Sequence, residues 1–181
     1  LPGRAELADF ADWRAAECVR RGVEIRLACD AGVDDVLALA PDAVIVATGA
    51  RPSLDAPAKA WPLMPIPGSD QPFVLDHQAA LLRCEQLGAR VVIFAVVGHI
   101  EAIGLGELLA ARGVAVTVAT PFPTPVLLDR ETAGYALPRA VQAGMTWRPN
   151  TGLAAIGDHA VTLVDVFSRR PEVVEDVAQV V

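Results

Sequence analysis

The chain has 181 residues, enough for one ordinary domain or two small ones, and its 53% hydrophobic and 20% charged content excludes a disordered chain. Aromatics at 5% leave the core to Ala, Val, Leu and Ile, a palette for alternating helices and buried strands rather than a carbohydrate-binding sandwich. A net charge of −7 argues against a nucleic-acid partner, because an acidic surface repels phosphate.

Cys18, Cys29 and Cys84 are odd in number and far apart. No C-x-x-C or zinc spacing occurs, so neither a metal nor an iron–sulfur site is expected, and a reducing, cytoplasmic setting is. No signal peptide opens the chain, and no apolar run reaches the ~18 residues of a membrane span.

Leu1-Pro2-Gly3-Arg4 opens as a turn. An amphipathic helix over about 5–21 follows, with Leu7, Phe10, Trp13 or Arg14, Cys18 and Val19 on one side and Gly22 as its stop. Residues 23–27 alternate apolar and polar, predicting a short strand, and 33–39 predict a brief helix. Pro41-Asp42 breaks it. The unbroken apolar run 43–47 then reads as a strand of a parallel sheet and passes into Thr48-Gly49-Ala50-Arg51-Pro52. Pro57, Pro62, Pro65, Pro67 and Pro72 exclude a long helix over 53–72, which reads as an ordered crossover.

A second unit begins near 73. Helices are expected over 76–87 (capped by Asp76, closed by Gly88), 101–112 (closed by Gly113) and 132–142. Strands are expected at 90–94, 114–120, 145–148, 152–156, 160–166 and near 173–174, with Gly157-Asp158-His159 as a hairpin turn. Strand, helix and strand over 90–120 make a right-handed βαβ unit.

The most specific local signal is the run 43–49. An apolar strand ending in Ala47-Thr48-Gly49 lets small residues and a glycine approach a dinucleotide at the carboxyl end of a sheet. The plain alternative is a buried strand with an ordinary turn. His99 beside Glu101 offers a proton-handling pair without a nucleophile, against the plainer reading of a loop histidine. No catalytic set of residues can be assembled.

Pro41-Asp42-Ala43-Val44-Ile45-Val46-Ala47-Thr48-Gly49-Ala50-Arg51-Pro52 resembles the ATG stretch of two-dinucleotide-binding flavoproteins. Within them it is most similar to the C-terminal half of trimethylamine-dehydrogenase-type proteins, which group with NADH:flavin oxidoreductases and 2,4-dienoyl-CoA reductases. Residues 1–7, Pro65-Ile66-Pro67-Gly68-Ser69-Asp70 and the βαβ unit carry the rest of the likeness. It implies an α/β, Rossmann-like, three-layer nucleotide-binding fold of the disulfide-reductase type. That fold would hold a partial FAD/ADP-binding-like unit (1–52), a crossover (53–72) and an NAD(P)-binding-like unit (73–181) with an antiparallel β excursion.

The resemblance implies a parent oxidoreductase whose barrel holds FMN and whose cysteines hold a 4Fe-4S centre, both outside this chain. FAD or ADP is the cofactor expected of the region itself, bound weakly or not at all. Candidate cofactor-binding residues are Ala47, Thr48, Gly49 and Ala50, with Gly98, His99 and Glu101 at the second turn. That second turn departs from the family pattern. No G-x-G-x-x-G occurs; in either register its positions fall on residues such as Val97, His99, Ala102 or Ile100. The strand after the helix ends at Thr120, with no acid for a ribose hydroxyl. Implied partners are the rest of the parent, an electron-transfer protein and further copies of the chain, with no nucleic acid and no membrane. The other readings are a stand-alone nucleotide-binding module and a non-catalytic structural or interaction domain. Run 43–47 needs a strand neighbour, either in the second unit or in another molecule.

Overall fold

The computed structural model describes residues 2–50, 52, 65–96, 98–126 and 128–181. They form two units, Gly3–Arg51 and Pro52–Val181, the second taking in Leu1–Pro2. The expected linker falls mostly at 53–64, outside the described residues.

In the first unit, helix α1 spans Glu6–Arg20, with Glu6 and Asp9 in its first turn and Arg20 in its last, the signs that the helix dipole favours. Glu17 pairs with Arg20 and Arg21 on its solvent side, each at 2.6 Å. Gly22 ends it with φ +77°, a backbone that costs glycine little. Helix α2 is Val33–Ala38.

The strands expected at 23–27 and 43–47 do not form. Neither run has a ladder partner among the described residues. A strand exists only when a neighbour takes its backbone donors and acceptors. Without one, Val44, Ile45 and Val46 lie open to solvent, Ile45 at 92% exposure. No described residue of 3–50 is buried, so the stripe of Leu7, Phe10 and Trp13 on α1 also faces water.

The second unit begins with the Pro65–Gly68 turn. Gly68 has φ +82°, and a Cβ there would stand 2.0 Å from the Ile156 carbonyl, so the turn fits only as glycine. Helix α3 is His77–Leu82, capped by Asp76, whose Oδ1 accepts the Gln78 and Ala79 amides at 2.8 Å each. It is shorter than expected. The chain leaves it at Arg83 and brings Gly88 against Ala178, where a Cβ would meet the Ala178 Cβ at 2.5 Å.

Strand β1 (Arg90–Phe94), helix α4 (Ile100–Ala110) and strand β2 (Ala115–Ala119) are the expected βαβ unit, with Val91 opposite Val116 and Phe94 opposite Ala119. Helix α5 (Arg130–Gln142) starts two residues earlier than expected, because Asp129 caps it by accepting the Thr132 amide at 2.8 Å. Strands β3 (Thr146–Arg148), β4 (Thr151–Ile156), β5 (Val161–Asp165), β6 (Pro171–Val174) and β7 (Gln179–Val180) follow. The parallel sheet has the order β3-β2-β1-β7, and β4-β5-β6 form an antiparallel sheet.

Strand side chains alternate between faces, and this alternation makes three layers. Val91, Ile93, Val116 and Val118 pack with Ile103, Leu109, Ala136 and Ala140 of the helices. Val92, Phe94, Ala119 and Val180 pack with Leu153, Ile156, Val161 and Leu163 of the antiparallel sheet. The result is the expected α/β fold with an antiparallel excursion. No described helix is long and apolar enough to cross a membrane.

Candidate functional site

In an open parallel sheet the ligand end is where the strands finish. β1 ends at Phe94, and the chain then passes through Gly98 (φ +55°) to His99, which stands at the N-cap of α4. Val97, one of the fingerprint-equivalent positions, lies outside the described residues. A phosphate cradle needs open backbone here. Instead, a Cβ on Gly98 would meet the Val126 amide nitrogen at 2.9 Å and the Pro125 Cα at 3.2 Å. The chain's own loop between β2 and α5 packs on the turn, and Gly98 and Pro125 are both buried.

The His99 side chain caps nothing. Its Nδ1 bonds to Glu101 Oε2, so the carboxylate sits in the first turn of α4 and itself supplies the negative charge that the helix N-terminus favours. Partial burial pushes the Glu101 carboxyl upward, but the His99 hydrogen bond, with charge from His99 and His77, holds it below its ordinary range. On the next strand, Thr120 is wholly buried, and its hydroxyl accepts the Phe122 amide at 3.4 Å while its carbonyl accepts the Thr151 amide at 2.8 Å. The position where a ribose-binding acid would stand is used for loop closure.

The second candidate group lies in the other unit. Ala47, Thr48, Gly49 and Ala50 are all exposed, Gly49 has φ +78°, and a Cβ there would meet nothing within 4 Å. The ATG turn thus keeps its glycine conformation while its approach surface stands empty. Arg51 lies outside the described residues. No cluster of metal-ligating side chains occurs among the described residues.

No protein-family model matches the chain. Over 51 residues it is 47% identical to an NADH oxidase of Thermoanaerobacter brockii, a match covering 28% of this chain and 8% of that protein. Over 127 residues it is 29% identical to a probable N-methylproline demethylase of Rhizobium meliloti (strain 1021), covering 66% of this chain and 16% of the relative. The structure of 6-hydroxypseudooxynicotine amine oxidase from Pseudomonas geniculata N1 matches with TM-score 0.81 and 26% identity, over 93% of this chain and 26% of that one. The chain is similar to the trimethylamine-dehydrogenase-type NADH:flavin oxidoreductases.

The chain therefore spans a minor part of each of these relatives. Likeness to trimethylamine-dehydrogenase-type oxidoreductases accounts for the three layers and for the strand–turn–helix geometry at Gly98. It does not by itself give the turn a ligand. Sequence reasoning missed Pro125 and Val126, the residues that fill the space over Gly98. Their one local signal was the Pro121-Phe122-Pro123-Thr124-Pro125 run, which marks a constrained loop but not where it folds.

Proposed function

We infer that this chain is a piece of a flavin-dependent oxidoreductase of the trimethylamine-dehydrogenase type, supplying a dinucleotide-binding-like domain and no catalytic residue. The observation that carries this reading is the 26%-identical amine oxidase likeness, which runs over 93% of the chain at TM-score 0.81. The parent would hold FMN and a 4Fe-4S centre elsewhere. FAD or ADP would meet this region only along Ala47-Thr48-Gly49-Ala50, through close backbone approach at the glycine. These residues can form one wall of a nucleotide site. They bring no phosphate-gripping turn of their own.

The second turn supports a scaffold role. Gly98, His99 and Glu101 would be the NAD(P)-facing group, yet Pro125–Val126 covers the glycine and Glu101 places a carboxylate where a pyrophosphate would bring like charge. In this reading the domain binds NAD(P)H poorly, and electrons leave the parent to a protein acceptor. The unpaired thiols Cys18, Cys29 and Cys84 suit a reducing cytoplasm. The apolar surface of residues 3–50 is covered by the remainder of the parent or by another copy.

Two measurements test this. Calorimetric titration of the purified chain with ADP, FAD and NADH should give no heat of tight binding for any of them, and no visible flavin band should copurify. Micromolar binding of ADP or NADH would instead favour the stand-alone nucleotide module. Reading the genomic frame around the segment tests the parent: an adjoining barrel and iron–sulfur cysteines support the inference, and an unrelated neighbour sinks it.

A further inference from the structure

A cleft of about 350 Å³ lies at the opposite end of the parallel sheet from the Gly98 turn, beside Leu87, which precedes β1, and Gln179, which begins β7. Phe73, Leu75 and Leu87 supply its apolar floor. The Phe73 ring stacks on the His159 imidazole, centroids 5.0 Å apart and planes 18° from parallel.

His159 is held firmly. Its backbone is left-handed, with φ +49°, its carbonyl accepts the Val177 amide at 2.8 Å, and its Nδ1 lies 3.0 Å from the Val177 carbonyl. A carbonyl only accepts, so Nδ1 carries the proton, and this bond fixes the ring against Phe73. Gln179 is fixed in a comparable way: its Oε1 accepts the Gly88 amide at 2.7 Å, which leaves its NH2 group unbonded. Arg83 lines the same cleft, and its guanidinium has no hydrogen bond or ion pair among the described residues. Among the described residues no carboxylate lines the cleft, although the chain carries a net charge of −7.

We propose that this cleft binds a small organic monocarboxylate with an apolar or aromatic body. The hydrocarbon part lies on Phe73, Leu75 and Leu87, and the carboxylate accepts from Arg83 and from the Gln179 NH2 group. Guanidinium to carboxylate is the strong, directional pairing that an unpartnered arginine offers. The volume suits a ligand at the lower end of the ~300–1,000 Å³ range of small-molecule sites. The site lies at the other end of the sheet from the Gly98 turn and does not depend on that turn's occupancy.

The test is a titration of the full 15N-labelled chain with sodium phenylacetate, followed by amide chemical shifts. Acetate provides the charge without the ring, and phenylacetamide the ring without the charge. Saturable shifts are expected at Phe73, Leu87, His159 and Gln179, with each control binding about tenfold more weakly or worse, the scale of one charge-assisted contact. Arg83→Gln should weaken phenylacetate by about tenfold and leave the rest of the spectrum in place, because Arg83 is exposed and its guanidinium is bonded to nothing described. Equal binding of phenylacetamide, shifts scattered over the surface, an unaltered affinity in Arg83→Gln, or no saturable shift would each overturn the proposal.

Discussion

Gly106 sets how closely α4 lies on the sheet. A Cβ on it would stand 2.5 Å from the Met145 sulfur and 2.9 Å from a Val118 methyl. Gly106→Val should therefore destabilise the chain by about 1–3 kcal/mol, read as a lower denaturant midpoint, because a filled core cannot take added methyls without strain. An unchanged midpoint would mean that the helix can back away. The neighbouring Glu107 is 6% exposed, and its carboxylate is met by Arg139 of α5, Nε to Oε1 at 2.6 Å and Nη2 to Oε2 at 2.9 Å. The carboxylate in turn raises the Arg139 pKa above its ordinary value. Arg139→Ala leaves a buried acid without its partner. The expected loss is about 2 kcal/mol, below the ~3–5 kcal/mol of a wholly buried pair because the guanidinium is half exposed. In a Glu107→Leu background the same change should cost far less, and equal costs in both backgrounds would show that the two residues are not coupled.

At the scale of elements, capping decides where helices begin and how they respond to acid. Thr132, through its hydroxyl first and then its amide, holds the Asp129 carboxyl below its ordinary range. Glu172 is lowered by Arg148, and Asp165 by the Ser168 amide and hydroxyl. Groups depressed in this way add stability that is complete above their unfolded pKa of about 4 and is lost as pH falls through the folded value. Stability should thus be flat near neutrality and decline below about pH 4. Asp129→Ala should lower the denaturant midpoint at pH 7 and differ progressively less from the parent chain as pH falls below about 4, where the native carboxylate begins to be protonated. A difference that stays constant down to acid unfolding would remove the carboxylate from this role.

For the whole molecule, the contrast is between a unit with two packed cores and a unit with none. Pro52–Val181 buries apolar side chains on both faces of its parallel sheet, whereas no described residue of 3–50 is buried. A segment without buried apolar area has little to offset its conformational entropy, so its opening free energy should be small. Limited trypsin digestion should therefore cut after Arg14, Arg20, Arg21 or Arg26 roughly tenfold faster than after Arg90, Arg112 or Arg139. Similar rates at the two groups would show that the first unit is already covered. If the parent or a second copy covers it, adding that partner should slow these early cuts.

The amino-acid order alone determined the elements whose partners lie within the chain. Val91 to Phe94 and Val116 to Ala119 read as strands and form them, because both faces of each are buried by segments of the same chain. Gly22 and Asp76 marked helix boundaries for local reasons, a left-handed backbone and a side-chain cap. Only tertiary structure decided the rest. The equally apolar run Val44 to Val46 makes no strand, since hydrophobicity favours burial but cannot provide the neighbouring backbone that a ladder requires. The two-residue strand β7, unmarked by any periodicity, exists because β1 offers its free edge. The cover over Gly98 and the cleft lined by Phe73 and His159 likewise join residues distant in sequence, whose meeting is fixed by packing and not by any local pattern.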